Sequence, residues 1–146
     1  MTVVEVLPNL WLGDIRSAID VSFLSGHKIT VVINCTVRYP FSDYCSQRYR
    51  VAVRDRGIEE DINIMYKYLV RMVPFIHKLL LSGERVLIHC YAGCHRSVCL
   101  VLGYIMCYTQ FSLQESIDVL QSKWNRVGLN FLQSLVNYSL LIKRVR

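Results

Sequence analysis

The fold is decided by one stretch of the sequence, Arg85-Val86-Leu87-Ile88-His89-Cys90-Tyr91-Ala92-Gly93-Cys94-His95-Arg96-Ser97. The apolar run 86–88 predicts a buried strand, and the uncharged run 98–108 predicts a buried helix. A loop between a strand end and a helix start turns backbone N–H groups inward, at the positive end of the helix dipole. The stretch therefore predicts a site for an anion.

Four residues of this loop suit chemistry on such an anion. Gly93 lets the chain bend tightly, and the planar guanidinium of Arg96 can hold two oxygens of a phosphate. The same positive field favours the thiolate form of Cys90, which makes it a nucleophile at neutral pH. Ser97 can either donate a hydrogen bond to the sulfur or cap the following helix.

Residues 89–97 resemble the signature His-Cys-x-x-Gly-x-x-Arg-Ser/Thr of the cysteine-dependent phosphatases, and in particular its dual-specificity branch. The resemblance implies that Cys90 attacks phosphorus and that the loop holds the phosphate through Tyr91, Ala92, Gly93, Cys94, His95 and Arg96. His89 then either fixes the loop through hydrogen bonds or is an ordinary core histidine. Cys94 and His95 replace the usual pair of a small or apolar residue and serine. We expect this change to affect specificity more than catalysis, because backbone amides hold the phosphate.

The same resemblance implies two residues outside the loop. Asp55 follows a predicted strand and precedes Asp61 by six positions, as in the family's acid loop, so it is the expected general acid and base. An ordinary turn aspartate is the alternative for Asp55, whereas Asp61 is expected to begin a helix. Asn130 and Phe131 match the family's Asn-Phe pair that braces the phosphate loop, although Leu129 stands where proline is usual.

Two other interpretations of the loop are weaker. Metal binding would need ligands with the paired Cys-x-x-Cys spacing of structural zinc sites, which is absent from His89, Cys90, Cys94 and His95. A cation would also be repelled by the helix N-terminus and by Arg96. If Cys90 were an inert core thiol, the glycine, the arginine and the serine of the same loop would have no explanation. We therefore predict no metal and no other cofactor.

The composition predicts one globular domain over residues 1–146, because 53% of the residues are hydrophobic, too many for a disordered chain. The longest uncharged apolar run, 98–108, is shorter than the roughly 18 residues of a membrane span, so no span is predicted. Residues 1–5 have no basic segment, so no signal peptide is predicted. The six cysteines show no disulfide framework, which favours the cytoplasm or the nucleus.

Strand and helix patterns alternate along the chain and predict an α/β domain with a mostly parallel sheet. Predicted strands cover 3–12 with a turn at Pro8-Asn9, 29–35, 49–53 and the run before Cys90. Predicted helices cover 14–24, 59–80 with a kink or break at Pro74, 98–108, 112–124 from a capping box, and 130–144. The family resemblance implies a central, mainly parallel five-stranded sheet flanked by helices.

The resemblance further implies hydrolysis of phosphotyrosine and of phosphoserine or phosphothreonine in phosphorylated protein partners. A phosphoinositide phosphatase is one alternative, but the loop lacks the lysines usual in that branch. An RNA 5′-phosphatase would suit the net charge of +6, but Tyr91-Ala92 replaces its usual Thr-His, so nucleic acid is a less favoured partner. A phosphate-binding module with weak catalysis is disfavoured by the intact set of Cys90, Arg96 and Asp55. The sequence does not indicate an oligomeric state.

A low-pKa, accessible thiolate is also prone to oxidation, and two cysteines are candidates to form a disulfide with Cys90. Cys94 is near in sequence, but side chains of such a loop point away from the anion. Cys35 ends a predicted strand that, in the resembled fold, lies beside the strand of Cys90. Strand alternation leaves open which face Cys35 occupies, and we expect Cys35 to be the partner.

Overall fold

A computed structural model describes residues 1–145. Its sheet has five strands in the spatial order β1-β2-β5-β3-β4, with bounds β1 Val3–Leu7, β2 Leu10–Gly13, β3 Val31–Asn34, β4 Gln47–Arg50 and β5 Val86–His89. Only β1 and β2 are antiparallel, and the other neighbouring pairs are parallel. The predicted five-stranded, mainly parallel sheet is confirmed.

Six helices flank the sheet: α1 Ile15–Ile19, α2 Val21–Gly26, α3 Glu59–Leu81, α4 Arg96–Thr109, α5 Leu113–Gln121 and α6 Leu132–Val145. The larger core lies among the sheet, α3, α4 and α6, and the smaller core lies under α1 and α2 on the other side. Helix α4 approaches α3 closely at Gly103, where an added Cβ would come 2.6 Å from Leu69 Cδ2. The residues in the middle of α4, from Val98 to Met106, are all buried.

Strand β5 lies in the middle of the sheet, paired in parallel with β2 and β3. All four of its residues are buried, as expected for an apolar strand covered on both faces. Its carboxyl end therefore opens at the centre of the sheet edge, where the loops of a parallel α/β domain meet. This placement puts Cys90, the next residue, at the middle of that edge.

Several predicted bounds are wrong. The single helix expected over 14–24 is two helices, because the Asp20 backbone N–H ends α1 on the Ser17 carbonyl while its carboxylate caps α2 by accepting from the Phe23 N–H at 2.8 Å. The strand expected over 49–53 is β4, four residues long and ending at Arg50. Beyond it the chain turns, with the Val53 N–H donating to the Val51 carbonyl.

The later helices differ less from expectation. Helix α3 runs unbroken past Pro74, so of the predicted kink or break the break is wrong. The capping box is confirmed, since Ser112 and Glu115 exchange side chain to backbone hydrogen bonds, but α5 ends at Gln121. Helix α6 begins at Leu132, two residues later than expected. Within residues 1–145 no single helix is long and apolar enough to cross a membrane; α4 and α5 reach that length only as a pair bent by 119°.

Candidate active site

The loop after β5 has a shape that requires glycine at one position. Gly93 has φ +72°, and an added Cβ would come 2.9 Å from Trp124 Cζ2 and 3.0 Å from the Gly13 carbonyl oxygen. The Trp124 indole N–H donates to the Gly93 carbonyl at 2.8 Å. Sequence reasoning gave Trp124 no role, and no local motif marks it, because the contact joins positions 31 residues apart. Trp124 thus holds the loop from its outer side.

The Cys90 thiol lies at the base of this loop. Its Sγ is 3.1 Å from Ser97 Oγ, and both residues are buried. Residue His95, not Ser97, occupies the N-cap position of α4, and it makes no side-chain cap. Of the two expected roles of Ser97, the contact with sulfur is therefore the one that the structure contains.

Arg96 links the loop to the segment before Asp55. Its Nη1 donates to the Val53 carbonyl at 3.1 Å, while its buried Nε has no hydrogen-bond partner among the described residues. Buried N–H groups without an acceptor are rare and costly. An oxyanion seated in the loop would supply the acceptor.

His89 is a buried histidine that bonds to the loop, but it is not a core histidine with every polar atom satisfied, because its Nε2 has no hydrogen-bond partner among the described residues. Its Nδ1 donates to the Cys90 carbonyl at 3.1 Å. Burial lowers the pKa of His89 to about 4, so the ring is neutral at neutral pH. A neutral ring next to Cys90 supplies a hydrogen bond without a further charge.

Asp55 and Asn130 meet at the mouth of the site. The Asn130 Nδ2 donates to Asp55 Oδ1 at 3.1 Å, and both residues are exposed. The expectation that Asn130 braces the phosphate loop needs correcting in one respect. Its side chain holds Asp55, and only its backbone N–H reaches the loop, at 3.3 Å from His95 Nδ1.

Asp61 is occupied elsewhere. Its buried carboxylate accepts from Nη2 and Nε of Arg56 at 2.8 and 3.1 Å. The hydrogen bond with the Arg56 guanidinium is the main reason why the pKa of Asp61 is lowered. A paired, buried carboxylate near the start of α3 fits the structural role expected for Asp61 and leaves Asp55 as the accessible acid.

A cavity of about 270 Å³ opens beside Asp55 and Arg96, and its basic lining exceeds its acidic lining. Three further arginines line it, Arg38, Arg54 and Arg56, with Asp55 as the one carboxylate in the lining. At the same mouth the rings of Tyr39 and Tyr91 lie 5.0 Å apart between centroids. Cationic walls with aromatic edges suit an anionic substrate.

Cys35 lies next to the loop that follows β5. Strands β3 and β5 pair with Asn34 opposite His89, and the Cys35 N–H donates to the His89 carbonyl at 2.7 Å. Cys35 is therefore the neighbour of Cys90 in register, on the same side of the sheet. Within residues 1–145 no disulfide joins any of the six cysteines, and no three His, Cys, Asp or Glu side chains are grouped to hold a metal ion.

Comparisons with known proteins agree with this geometry. The family described as "Dual specificity phosphatase, catalytic domain" matches residues 10–140. Human dual specificity protein phosphatase 16 is 32% identical over 143 residues, 95% of this chain and 21% of that protein. Mouse dual specificity protein phosphatase 22 is 28% identical over 130 residues, 81% of this chain and 62% of that protein.

The crystal structure of human DUSP28 has the same fold, with a TM-score of 0.88, 21% identity and coverage of 98% of this chain and 99% of that one. The chain spans about a fifth of the length of the human phosphatase 16 that it matches. The family match includes every strand from β2 onward and the loop that holds Cys90. The predicted resemblance is confirmed: the chain belongs to the dual-specificity phosphatase family of cysteine-based protein phosphatases.

Proposed function

We propose that this chain hydrolyses phosphotyrosine and phosphoserine or phosphothreonine in proteins, with Cys90 as nucleophile and Asp55 as general acid and base. One observation carries the proposal: Cys90 Sγ lies 3.1 Å from Ser97 Oγ, at the base of an anion-binding loop that ends in Arg96. Membership of the family supports protein phosphatase activity in general. The residue roles and the substrate range belong to the proposal.

In the first step the Cys90 thiolate attacks phosphorus while Arg96 and the loop amides hold the equatorial oxygens. The S–P bond forms as the bond from phosphorus to the ester oxygen breaks. That oxygen leaves with a proton from Asp55, whose carboxyl group lies at the mouth, where the leaving group departs. The products are the free alcohol or phenol and a phosphocysteine.

In the second step the Asp55 carboxylate removes a proton from water, and the water oxygen attacks phosphorus. The S–P bond breaks, inorganic phosphate forms, and sulfur keeps the bonding electrons as a thiolate. The Ser97 hydroxyl, 3.1 Å from that sulfur, donates a hydrogen bond to it and makes it a better leaving group. The enzyme is then ready for another turnover.

Phosphorylated proteins are the proposed partners, and two features support them. The cavity beside Asp55 is open at the surface and is lined by arginines, which suits the negative charge of phosphorylated side chains. The loop positions Tyr91, Ala92, Cys94 and His95 include no lysine, the residue that is usual there in the phosphoinositide branch. We also propose the cytoplasm or the nucleus as the location, which the lack of disulfides among residues 1–145 supports.

Turnover measurements test this proposal. The protein should hydrolyse p-nitrophenyl phosphate and phosphopeptides, and Cys90→Ser should lose turnover but still bind phosphate, because the amides and Arg96 remain. Cys45→Ser is the matched control and should retain turnover. Cys45 is a buried cysteine just before β4, the edge strand that β3 separates from β5. Turnover by Cys90→Ser would refute the proposal. Faster hydrolysis of phosphoinositides or of 5′-triphosphate RNA than of every phosphopeptide would reassign the substrate.

A further inference from the structure

His95 belongs to the phosphate loop, the segment 90–96. Its side chain neither caps α4 nor takes part in holding the phosphate, which is the proposed task of the backbone amides and Arg96. It precedes Arg96 and sits at the N-cap position of α4 with φ −121° and ψ −60°, yet its ring makes no cap hydrogen bond. Instead the ring lies against Gly128, where an added Cβ would overlap it. Only a residue without a Cβ leaves room for the imidazole there.

From that position the ring meets the backbone that carries Asn130. The Asn130 N–H donates to His95 Nδ1 at 3.3 Å, so Nδ1 carries no proton and any proton of the neutral ring is on Nε2. A second hydrogen bond lies beside this one. The N–H of Gly128, two residues before Asn130, donates at 2.8 Å to the carbonyl of Cys94, the residue before His95. Segment 128–130 therefore lies along the phosphate loop and is fixed to it at two points.

The same segment holds the acid. The Asn130 Nδ2 donates to Asp55 Oδ1 at 3.1 Å, and Asn130 lies against Gly57, at whose position an added Cβ would be 3.5 Å from Asn130 Cβ. The neighbouring Phe131 is buried in the core and anchors the segment. Asp55 is exposed, and its carboxylate accepts this hydrogen bond from Asn130.

We propose that His95 is a positioning residue that sets the place of Asp55 through Asn130. The inference rests on the proposed function, because it concerns the proton transfer to the leaving group in that reaction. His95 fixes Asn130 relative to the phosphate loop, and Asn130 fixes Asp55 relative to the leaving oxygen. A shift of an acid by about 1 Å can cost up to about a hundredfold in rate.

The leaving group reports on this role. Phenyl phosphate needs protonation of its leaving oxygen far more than p-nitrophenyl phosphate does. In His95→Ala, kcat/KM for phenyl phosphate should fall about tenfold more than kcat/KM for p-nitrophenyl phosphate. Inhibition by inorganic phosphate should keep its constant, because the amides and Arg96 that hold phosphate are retained. Equal losses on both esters, or a parallel loss of phosphate affinity, would show that His95 only supports the loop.

Two conservative variants keep the test valid if His95→Ala does not fold. The side-chain oxygen of asparagine can replace Nδ1 as acceptor, and that of glutamine replaces Nε2. His95→Asn should therefore retain the wild-type ratio of the two esters, and His95→Gln should lose it. The opposite order would refute the proposal. Gln133→Ala, which removes an exposed side chain of α6 that donates to Asn137, is the matched control and should retain the ratio.

A double-mutant cycle tests whether His95 acts through Asn130. In an Asn130→Ala background the contact with Asp55 is already gone, so His95→Ala should cause no further loss selective for phenyl phosphate. An additive loss would refute the coupling. Absence of any turnover by the wild type would instead refute the proposed function, whereas turnover with an unchanged ester ratio in His95→Ala would refute the positioning role alone.

Discussion

Cys90 and Asp55 occupy opposite environments, and the difference suits their proposed tasks. Cys90 is only 2% exposed, so an incoming phosphate must enter the loop to meet it. Asp55 lies at the surface beside the cavity, where a leaving group departs and a water molecule arrives. An in-line displacement needs a nucleophile on one side of the phosphorus atom and an acid on the side where the leaving group departs. The proposed nucleophile at the base and the proposed acid at the mouth provide these two positions.

Asp55→Asn should slow esters with poor leaving groups by about 10²–10⁴-fold, and activated aryl phosphates far less. Steady-state kinetics on phenyl and p-nitrophenyl phosphate measure both effects. Asp61→Asn, which changes a carboxylate already paired with Arg56, is the comparison. Equal losses on the two esters would remove Asp55 from the role.

His89 predicts how stability depends on pH. Its pKa is about 4 in the folded protein, against an ordinary value of 6.5, because burial disfavours the charged ring. The unfolded chain therefore binds the proton first as pH falls, so the free energy of unfolding decreases between pH 6.5 and about 4. The full effect is about 3 kcal/mol. Urea titrations across this window should show a smaller decrease for His89→Asn, and an unchanged slope would place the acid sensitivity elsewhere.

At the scale of elements, the site is an outcome of strand order. Strand β5 is flanked by β3 on one side and β2 on the other, so the residues after each strand meet around Cys90. Buried Asn34 and Thr36 hold the loop after β3, with the Asn34 Nδ2 donating to the Tyr39 carbonyl at 2.9 Å. That loop places its tyrosine against Tyr91 of the phosphate loop.

The register of β3 and β5 predicts the product of oxidation. Peroxide oxidises the Cys90 thiolate to a sulfenic acid, and the Cys35 sulfur then attacks it, forming the S–S bond and releasing water. Neighbouring parallel strands lie about 4.8 Å apart, within the reach of a disulfide. Burial, and next the proximity of Cys90, raise the pKa of Cys35, so the second step should be slow.

Mass spectrometry after mild peroxide should find a peptide that joins Cys35 to Cys90. Cys35→Ser should lose this species and lose the recovery of activity by dithiothreitol. Cys94→Ser should retain both, because the Cys94 side chain lies against the Ala92 carbonyl. A disulfide that survives Cys35→Ser and vanishes in Cys94→Ser would contradict the register argument.

Features that depend on neighbouring residues were predictable from the sequence, and those that depend on distant ones were not. The loop residues from Cys90 to Ser97 and the capping box at Ser112 are local, because each motif lies within a few positions. The contact of Asn130 with Asp55 joins residues 75 positions apart and follows no spacing rule. The break at Asp20 was missed because an aspartate inside an apolar pattern fits either a helix interior or a cap.

At the scale of the whole molecule, positive charge is in excess and part of it lies around the active site. The chain has 17 lysines and arginines against 11 aspartates and glutamates. In the cavity lining, Arg56 is paired with Glu60 and Asp61, whereas Arg38 and Arg54 have no ion pair among the described residues. The guanidinium groups of Arg38 and Arg54 are therefore free to attract anionic substrates toward the phosphate loop.

Each of these two arginines is next in sequence to a residue that contacts the phosphate loop. Arg54 follows Val53, whose carbonyl accepts from Arg96, and Arg38 precedes Tyr39, whose ring contacts Tyr91. The double variant Arg38→Gln with Arg54→Gln should therefore lower kcat/KM for acidic phosphopeptides by about tenfold at low ionic strength. The loss should shrink as salt is added, because salt screens exposed charges beyond about 10 Å at 0.1 M.

Arg71→Gln separates local charge from net charge. Arg71 lies on α3, twelve positions after Glu59 and so about 18 Å along the helix, and its guanidinium packs over the Tyr68 ring. If the arginines of the cavity act locally, this variant should keep both kcat/KM and its salt dependence, and a phosphopeptide with basic flanking residues should lose little in the double variant. Arg71→Gln and the double variant could instead lower kcat/KM by the same factor for each positive charge removed. In that case the net charge of the whole protein governs the rate at which it meets its substrate. The cavity would then have no selective role, because a field summed over the whole surface does not distinguish one arginine from another at similar screening.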